Sequence, residues 1–375
     1  MLDFTSALYL GLRHRSRSLA AWDQLTTGAP AALVEPPAAR RVASALAALQ
    51  GCESAMLAPS TLHLFWDLFG VLAQEPSAIY VDAGSYPIAR WGVERAAARG
   101  ARVFEFPHHD AAALRTLLRR TAGAGRQVVI VSDGYCPGCG RHAPLADYLT
   151  LAQLFDGQLI MDDTQAIGIY GHAPHARAPY GTSGGGSLCW HGLSDPRVLL
   201  VASLAKAFGA PIAALSGSRA LVRRFERESE TRVHCSPPSL AALHAAERAL
   251  MLNAECGDAL RLRLIRLVRR FRRQLVAAGF VITGGLFPVQ TLGQQPGLNT
   301  VELHERLLQQ GVRTVLHRER AGQAARLSFI ITALHTSRAI DRAAIALAAA
   351  AGRMIGPLVA DGERRLPHAL PAVEL

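Results

Sequence analysis

Lys206 is the one lysine among the 40 lysines and arginines of this 375-residue chain. A guanidinium stays protonated and delocalised, whereas a desolvated primary amine can lose its proton and attack a carbonyl, the chemistry of a Schiff base. Around it the chain reads Leu199-Leu200-Val201-Ala202-Ser203-Leu204-Ala205-Lys206-Ala207-Phe208-Gly209: an apolar strand-like run, a hydroxyl, the amine, then small residues. This predicts an amine at a strand end among apolar neighbours, the setting that lowers a lysine from its ordinary pKa of about 10.4. A second run, Leu159-Ile160-Met161-Asp162-Asp163, is a short apolar strand ending in two carboxylates. Ligands of open α/β sheets lie beyond the carboxyl ends of the strands, so Asp162 is placed to face one. A ligand ring nitrogen that must stay protonated to draw electrons is favoured by such a carboxylate. Each feature has an ordinary alternative: a lysine left over in an arginine-rich chain, and a helix cap or turn for the two aspartates.

Taken together, these segments resemble the fold-type I enzymes that use pyridoxal 5′-phosphate (PLP), and within them the α-oxoamine synthases, 8-amino-7-oxononanoate synthase among them. The resemblance covers most of the chain, from Leu2-Asp3-Phe4-Thr5-Ser6-Ala7-Leu8-Tyr9-Leu10-Gly11-Leu12 to Ala325-Arg326-Leu327-Ser328 and Thr332-Ala333-Leu334-His335. It implies an α/β fold, with a mostly parallel central sheet and a smaller C-terminal α+β domain, and it implies PLP as cofactor. By the same resemblance Lys206 matches the Schiff-base lysine, Asp162 the carboxylate on the pyridinium nitrogen, and Ser203 a hydroxyl that binds the cofactor phosphate. Asp82-Ala83-Gly84-Ser85-Tyr86 is similar to a segment whose final ring stacks on the cofactor, which gives that position to Tyr86. Ser60, Thr61 and Leu62 match a loop opening a helix, where backbone N–H groups receive phosphate. Read without the resemblance, Ser60 and Thr61 are an ordinary helix cap.

Three departures bear on the reaction. Gln165 stands where many synthases carry histidine three residues after the pyridinium aspartate, and Tyr86 stands where they carry a stacking histidine. An amide still hydrogen-bonds and a phenol still stacks, but neither supplies imidazole acid–base chemistry near pH 7. Ser328 occupies the place of an arginine that binds the substrate carboxylate, so Arg326, His335 or another arginine must replace it as the substrate anchor. The resemblance implies a synthase that condenses an amino acid with an acyl thioester, carried by CoA or an acyl carrier protein, to an aminoketone with loss of CO2. An aminotransferase is the runner-up, and a catalytically degenerate PLP-fold binding partner is the third reading.

These residues need a scaffold longer than one ordinary core. The expected organisation is an N-terminal arm over 1–45, a large PLP-binding domain over 46–245, a small C-terminal domain over 246–361 and a tail over 362–375. Apolar runs such as Val128-Val129-Ile130-Val131 alternate with helical patterns such as Pro144 to Phe155, as in a mostly parallel sheet. Residues 259–276 carry a helical stripe of Leu260, Leu264, Leu267, Val268, Phe271 and Leu275. The opposite face, with Arg261, Arg263, Arg266, Arg269, Arg270, Arg272 and Arg273, reads as solvated, or as a docking face for an acidic partner such as an acyl carrier protein. The net charge of +11 comes with no nucleic-acid-binding motif, so no nucleic-acid partner is expected.

Tyr180-Gly181-Thr182-Ser183-Gly184-Gly185-Gly186-Ser187 lacks phosphate-loop spacing and reads as a flexible border of the site. Of six cysteines only Cys136-Pro137-Gly138-Cys139 has suggestive spacing. Without a second such pair it reads as a loop and predicts no metal. No signal pattern and no bilayer-length apolar run is seen, which predicts a cytoplasmic protein with no membrane partner. The resemblance implies a homodimer.

Overall fold

The computed structural model describes residues 1–123, 125–317 and 324–353. The chain divides into two compact units, a larger one of His14–Cys136 with Arg141–Asp258, and a smaller one of Met1–Arg13, Pro137–Gly140 and the residues from Ala259 onward. The expected boundary near residue 245 falls inside one continuous helix, Leu240–Ala277, and the compact units part at 258/259 instead. Of the expected arm over 1–45, the first thirteen residues group with the smaller unit, and its last residues open a helix, Pro37–Gln50. The expected tail over 362–375 lies outside the described residues.

Seven strands form the sheet of the larger unit: β1 (Ser54–Ala58), β2 (Ser77–Asp82), β3 (Arg102–Phe106), β4 (Gln127–Asp133), β5 (Gln158–Asp162), β6 (Val198–Ser203) and β7 (Ala213–Gly217). Their order is β1-β7-β6-β5-β4-β2-β3. β7 is antiparallel to both neighbours and the other pairings are parallel, so six strands share one direction. Strands covered on both faces need unbroken apolar runs, and Ala78–Val81, Val128–Val131 and Leu159–Met161 are buried throughout.

Successive side chains point to opposite faces. Ile79, Val81, Val129, Val131 and Ile160 pack with helices α2 (Thr61–Leu72) and α3 (Pro87–Ala98), whereas Ala78, Tyr80, Val128, Ile130 and Met161 pack with α4 (Ala111–Thr121) and α5 (Leu145–Leu154). Here α1 is Pro37–Gln50, with a proline at its first position, where no intrahelical N–H is lost. Each fully buried Val, Leu or Ile contributes about 1.5–3 kcal/mol of transfer free energy. The sheet is the rigid part of this unit for that reason.

The smaller unit is α+β. Its four strands run in the order Ile282–Thr283, Val289–Leu292, Arg326–Ile330, Val315–His317, all antiparallel. The N-terminal Leu2–Asp3 adds in parallel to Val312–Arg313, and Phe4 packs against Phe271 and Phe329. The apolar stripe of residues 259–276 is buried as expected. The arginine face, expected to be solvated, is not so throughout: Arg261 is 1% exposed, and Arg270 clamps Asp341 with bonds of 2.6 and 2.8 Å. Arg272 donates to Gln290 at 2.7 Å and Arg263 to the His335 carbonyl at 3.1 Å, leaving Arg266 and Arg273 as the exposed members. The seven arginines therefore do not form one solvated docking face, because Arg261 is buried and Arg263, Arg270 and Arg272 tie the helix to its own unit.

Candidate active site

Parallel strands deliver their carboxyl ends to one edge, and the chemistry gathers there. β2 ends at Asp82, β4 at Asp133, β5 at Asp162 and β6 at Ser203, three residues before Lys206. β1 ends at Ala58, so the start of α2 lies at the same edge.

After Ser203 the chain folds back through a turn that is closed by Leu204 N–H on the Ile212 carbonyl, 2.9 Å, and Ala210 N–H on the Leu204 carbonyl, 3.1 Å. The turn lies on Gly168, where a side chain would overlap Ala207. Lys206 is thereby held half-buried at this edge. Burial pushes its amine below the usual lysine range, opposed by the charges of Asp162 and Asp133. Its Nζ stands 5.8 Å from the centre of the Tyr86 ring.

Asp162 is buried, and its Oδ1 accepts the Thr164 N–H at 2.9 Å. Burial raises its carboxyl, while Thr164 and Lys206 pull it back toward the ionised form. Thr164 Oγ1 in turn accepts the Ser203 N–H at 3.0 Å, which locks the ends of β5 and β6 together. Gln165 follows in the turn closed by Ala166 N–H on the Asp163 carbonyl, 2.9 Å. Asp163 points elsewhere. It is fully buried and accepts the Ser187 N–H on both oxygens at 3.2 Å, and burial raises its carboxyl to about 7.

Asp133 belongs to this site, and the sequence reading missed it. It lies directly across the ladder from Asp162, and its Oδ1 accepts the Tyr86 N–H at 3.0 Å. Its carboxyl is raised well above the usual range by burial first, then by Asp162 and Asp82, against the pull of the Tyr86 N–H and Lys206. The signal was the one used for Asp162, an apolar strand ending in a carboxylate.

Tyr86 is 47% exposed and precedes Pro87, the first residue of α3. Its turn is pinned by Asp82, whose Oδ1 accepts the Gly84 N–H at 2.7 Å and lies 2.6 Å from His108 Nδ1. Arg90 donates to the carbonyls of Asp82 and Ala83 and to Glu105 at 2.8–3.2 Å.

Ser60 sits at the N-cap of α2 in extended conformation, yet it makes no capping bond. Its Oγ pairs with His63 Nδ1 at 2.8 Å, so the simple helix-cap reading fails for Ser60. The first-turn amides, which begin at Thr61 and Leu62, are the groups that an anion takes at a helix N-terminus. Ser203 Oγ accepts the Ala205 N–H at 3.3 Å. An amine for an aldehyde, a carboxylate for a protonated ring nitrogen, an aromatic ring and a helix start without a side-chain cap thus share one edge. This donor set fits PLP.

The proposed substrate residues lie in the smaller unit. Ser328 is fully buried, 2.7 Å from Thr291 Oγ1 and 3.0 Å from His317 Nε2, so its hydroxyl is occupied inside the sheet. Arg326 is exposed at the strand start. His335 stacks on Phe4 at 4.3 Å, and its Nε2 lies 2.9 Å from the Asp3 carbonyl.

The glycine-rich segment is not a flexible border. It forms a tight hairpin with bridges Ile167–Gly185 and His172–Thr182, and it is anchored by Ser183 N–H on Asp258 at 2.9 Å and Asn253 on the Ser183 carbonyl at 2.8 Å. None of the six cysteines is in a disulfide. Tyr135–Cys136 pairs with Arg141–His142, and His142 stacks on Trp190 at 3.9 Å. No helix among the described residues is long and apolar enough to cross a membrane.

Residues 40–347 match the family described as aminotransferase class I and II. The chain is 30% identical over 340 residues to 8-amino-7-oxononanoate synthase of Ralstonia pickettii, spanning 84% of this chain and 77% of that one. It is 28% identical over 361 residues to the enzyme of that name from Marinobacter nauticus, spanning 93% and 86%. Its fold superposes on a solved structure of SPT with PLP at a TM-score of 0.81, covering 93% of this chain and 86% of that one at 17% identity.

Proposed function

The chain belongs to the aminotransferase class I and II family, and from that premise we propose that it is a PLP-dependent α-oxoamine synthase. It condenses an amino acid with an acyl thioester, carried by CoA or an acyl carrier protein, and releases CO2 with the aminoketone. The carrying observation is that Lys206, Asp162 and Tyr86 gather at the carboxyl edge of the parallel strands of one mixed sheet.

PLP, when bound, supplies an electron sink for the carbon that loses CO2 or a proton. The chain's residues do the rest in this reading. Lys206 Nζ, half-buried at the edge, would bind the cofactor's aldehyde as a nucleophile and, when released, would carry a proton. Asp162 keeps the ring nitrogen protonated through its negative charge. The Tyr86 ring would stack on the cofactor, and Gln165 would offer it a neutral hydrogen bond. Ser203 and the first turn of α2, at Ser60, Thr61 and Leu62, hold the phosphate. Arg326 is the exposed cation of its strand available to a carboxylate, since Ser328 is occupied. Assembly as a homodimer and residence in the cytoplasm belong to the same reading.

The test is a visible absorption spectrum of the protein with PLP beside Lys206→Ala, followed by assay with labelled amino acids. A band that requires Lys206, with CO2 release that requires both amino acid and acyl thioester, supports the synthase. Amino-group transfer to a 2-oxo acid without CO2 release assigns an aminotransferase instead. Absence of a Lys206-dependent band defeats both.

A further inference from the structure

The turn that carries Tyr86 begins at Asp82, the fully buried last residue of β2. Asp82 Oδ1 accepts the Gly84 N–H at 2.7 Å and lies 2.6 Å from His108 Nδ1. An ionised carboxylate only accepts, so Nδ1 is the donor. Oδ2 accepts the His109 N–H at 3.0 Å and lies 3.3 Å from Ser132 Oγ and Tyr148 OH, so that oxygen has donors of its own. Oδ1, the oxygen that holds the turn, has His108 beside Gly84. His109 has φ +58°, in the left-handed region, which a non-glycine residue keeps where its surroundings over-determine it. The His108 ring also lies against the turn itself, since a side chain on Gly84 would overlap its Nδ1 and Cε1. The loop between β3 and α4 thus grips both oxygens of Asp82 and packs on the turn. Further along, Ser85 N–H donates to the Asp82 carbonyl at 2.9 Å and Tyr86 N–H to Asp133 Oδ1 at 3.0 Å. The ring that this turn carries stands 5.8 Å from Lys206 Nζ.

We propose that His108 is a positioning residue of the active site: its imidazole holds Asp82 Oδ1 where that oxygen takes the Gly84 N–H, and so fixes the turn that aims the Tyr86 ring. The inference rests on the reading that Tyr86 stacks on the cofactor. His108 acts here through Asp82 and the turn, not as an acid or base. A buried carboxylate that loses a donor keeps the cost of its desolvation, so Asp82 turns toward other partners and the Gly84 N–H is released. Asparagine at 108 carries an amide N–H close to the place of Nδ1, whereas leucine fills the space and carries none, which separates the hydrogen bond from the packing.

Backbone amide exchange in the cofactor-free protein reads the turn directly. His108→Leu is expected to speed exchange of the Gly84, Ser85 and Tyr86 amides about tenfold while the amides of β4 and β5 keep their wild-type rates, and to weaken PLP binding about tenfold in a spectral titration. His108→Asn is expected to restore both. In a Tyr86→Ala background His108→Leu is expected to cause no further loss of PLP affinity, because its effect passes through that ring. Should His108→Leu not fold by circular dichroism, His108→Gln, which keeps an N–H but displaces it, is read in the same way. Unchanged exchange in the turn overturns the proposal, as does a loss of PLP affinity equally large with and without the Tyr86 ring. If Tyr86→Ala alone binds PLP as tightly as the wild type, the stacking reading fails and takes this proposal with it. That failure is told apart from the others because the exchange rates are read without PLP.

Discussion

His142, outside the site, is held well below the usual imidazole range. Its ring is stacked on Trp190, and its Nδ1 is buried without a hydrogen-bond partner among the described residues. Burial, then the nearby His191 and His109, push it down to about 3. In the unfolded chain it titrates near 6.5. The folded protein therefore has the full benefit of a neutral His142 above that value and loses it as pH falls toward 3, at about 1 kcal/mol per pH unit. His142→Phe keeps the stacked ring and cannot take a proton. It is expected to flatten the fall in urea-unfolding free energy between pH 6 and pH 4, and a fall as steep as that of the wild type would show that another group causes it. Lys206 was legible as a residue because it is unique. Asp133 was not singled out, because nothing local says that its strand neighbours the one ending in Asp162.

At the level of elements, the apolar runs placed β4, β5 and β6 correctly, since strands covered on both faces must be continuously apolar. The glycine-rich segment misled, because composition alone does not separate a flexible loop from backbone packed against backbone. Gly171 marks the difference: a methyl group there would overlap the Thr182 carbonyl oxygen and the Gly184 nitrogen. Gly171→Ala is expected to cost about 1–3 kcal/mol in urea unfolding, as overpacking does. A cost near zero would mean that the hairpin is loose after all. The start of α2 shows the converse case, where Ser60 has the residue type of a cap but spends its hydroxyl on His63.

For the whole molecule, part of the arginine face that suggested an acidic partner is internal wiring in the smaller unit, through Arg263, Arg270 and Arg272. Arg270 and Asp341 have side chains 18% and 15% exposed and bond in bidentate fashion. Arg270→Gln is expected to cost about 2 kcal/mol, between a surface pair and a fully buried one. Arg266→Gln, on the exposed side of the same helix, is expected to stay within about 0.5 kcal/mol. Equal costs in urea unfolding would contradict this division of labour. By itself the sequence determined the strand ends that present Lys206 and Asp162, because apolar runs and the residues that end them are encoded locally, and through its resemblance to a family it implied the fold class and the cofactor. The tertiary structure alone decided that Asp133 stands beside Asp162, that Ser328 is spent inside a sheet and that Arg263, Arg270 and Arg272 are bound at home. Those outcomes depend on which distant segments become neighbours, and strand order and packing follow from the free energy of the whole assembled core rather than from any stretch of residues.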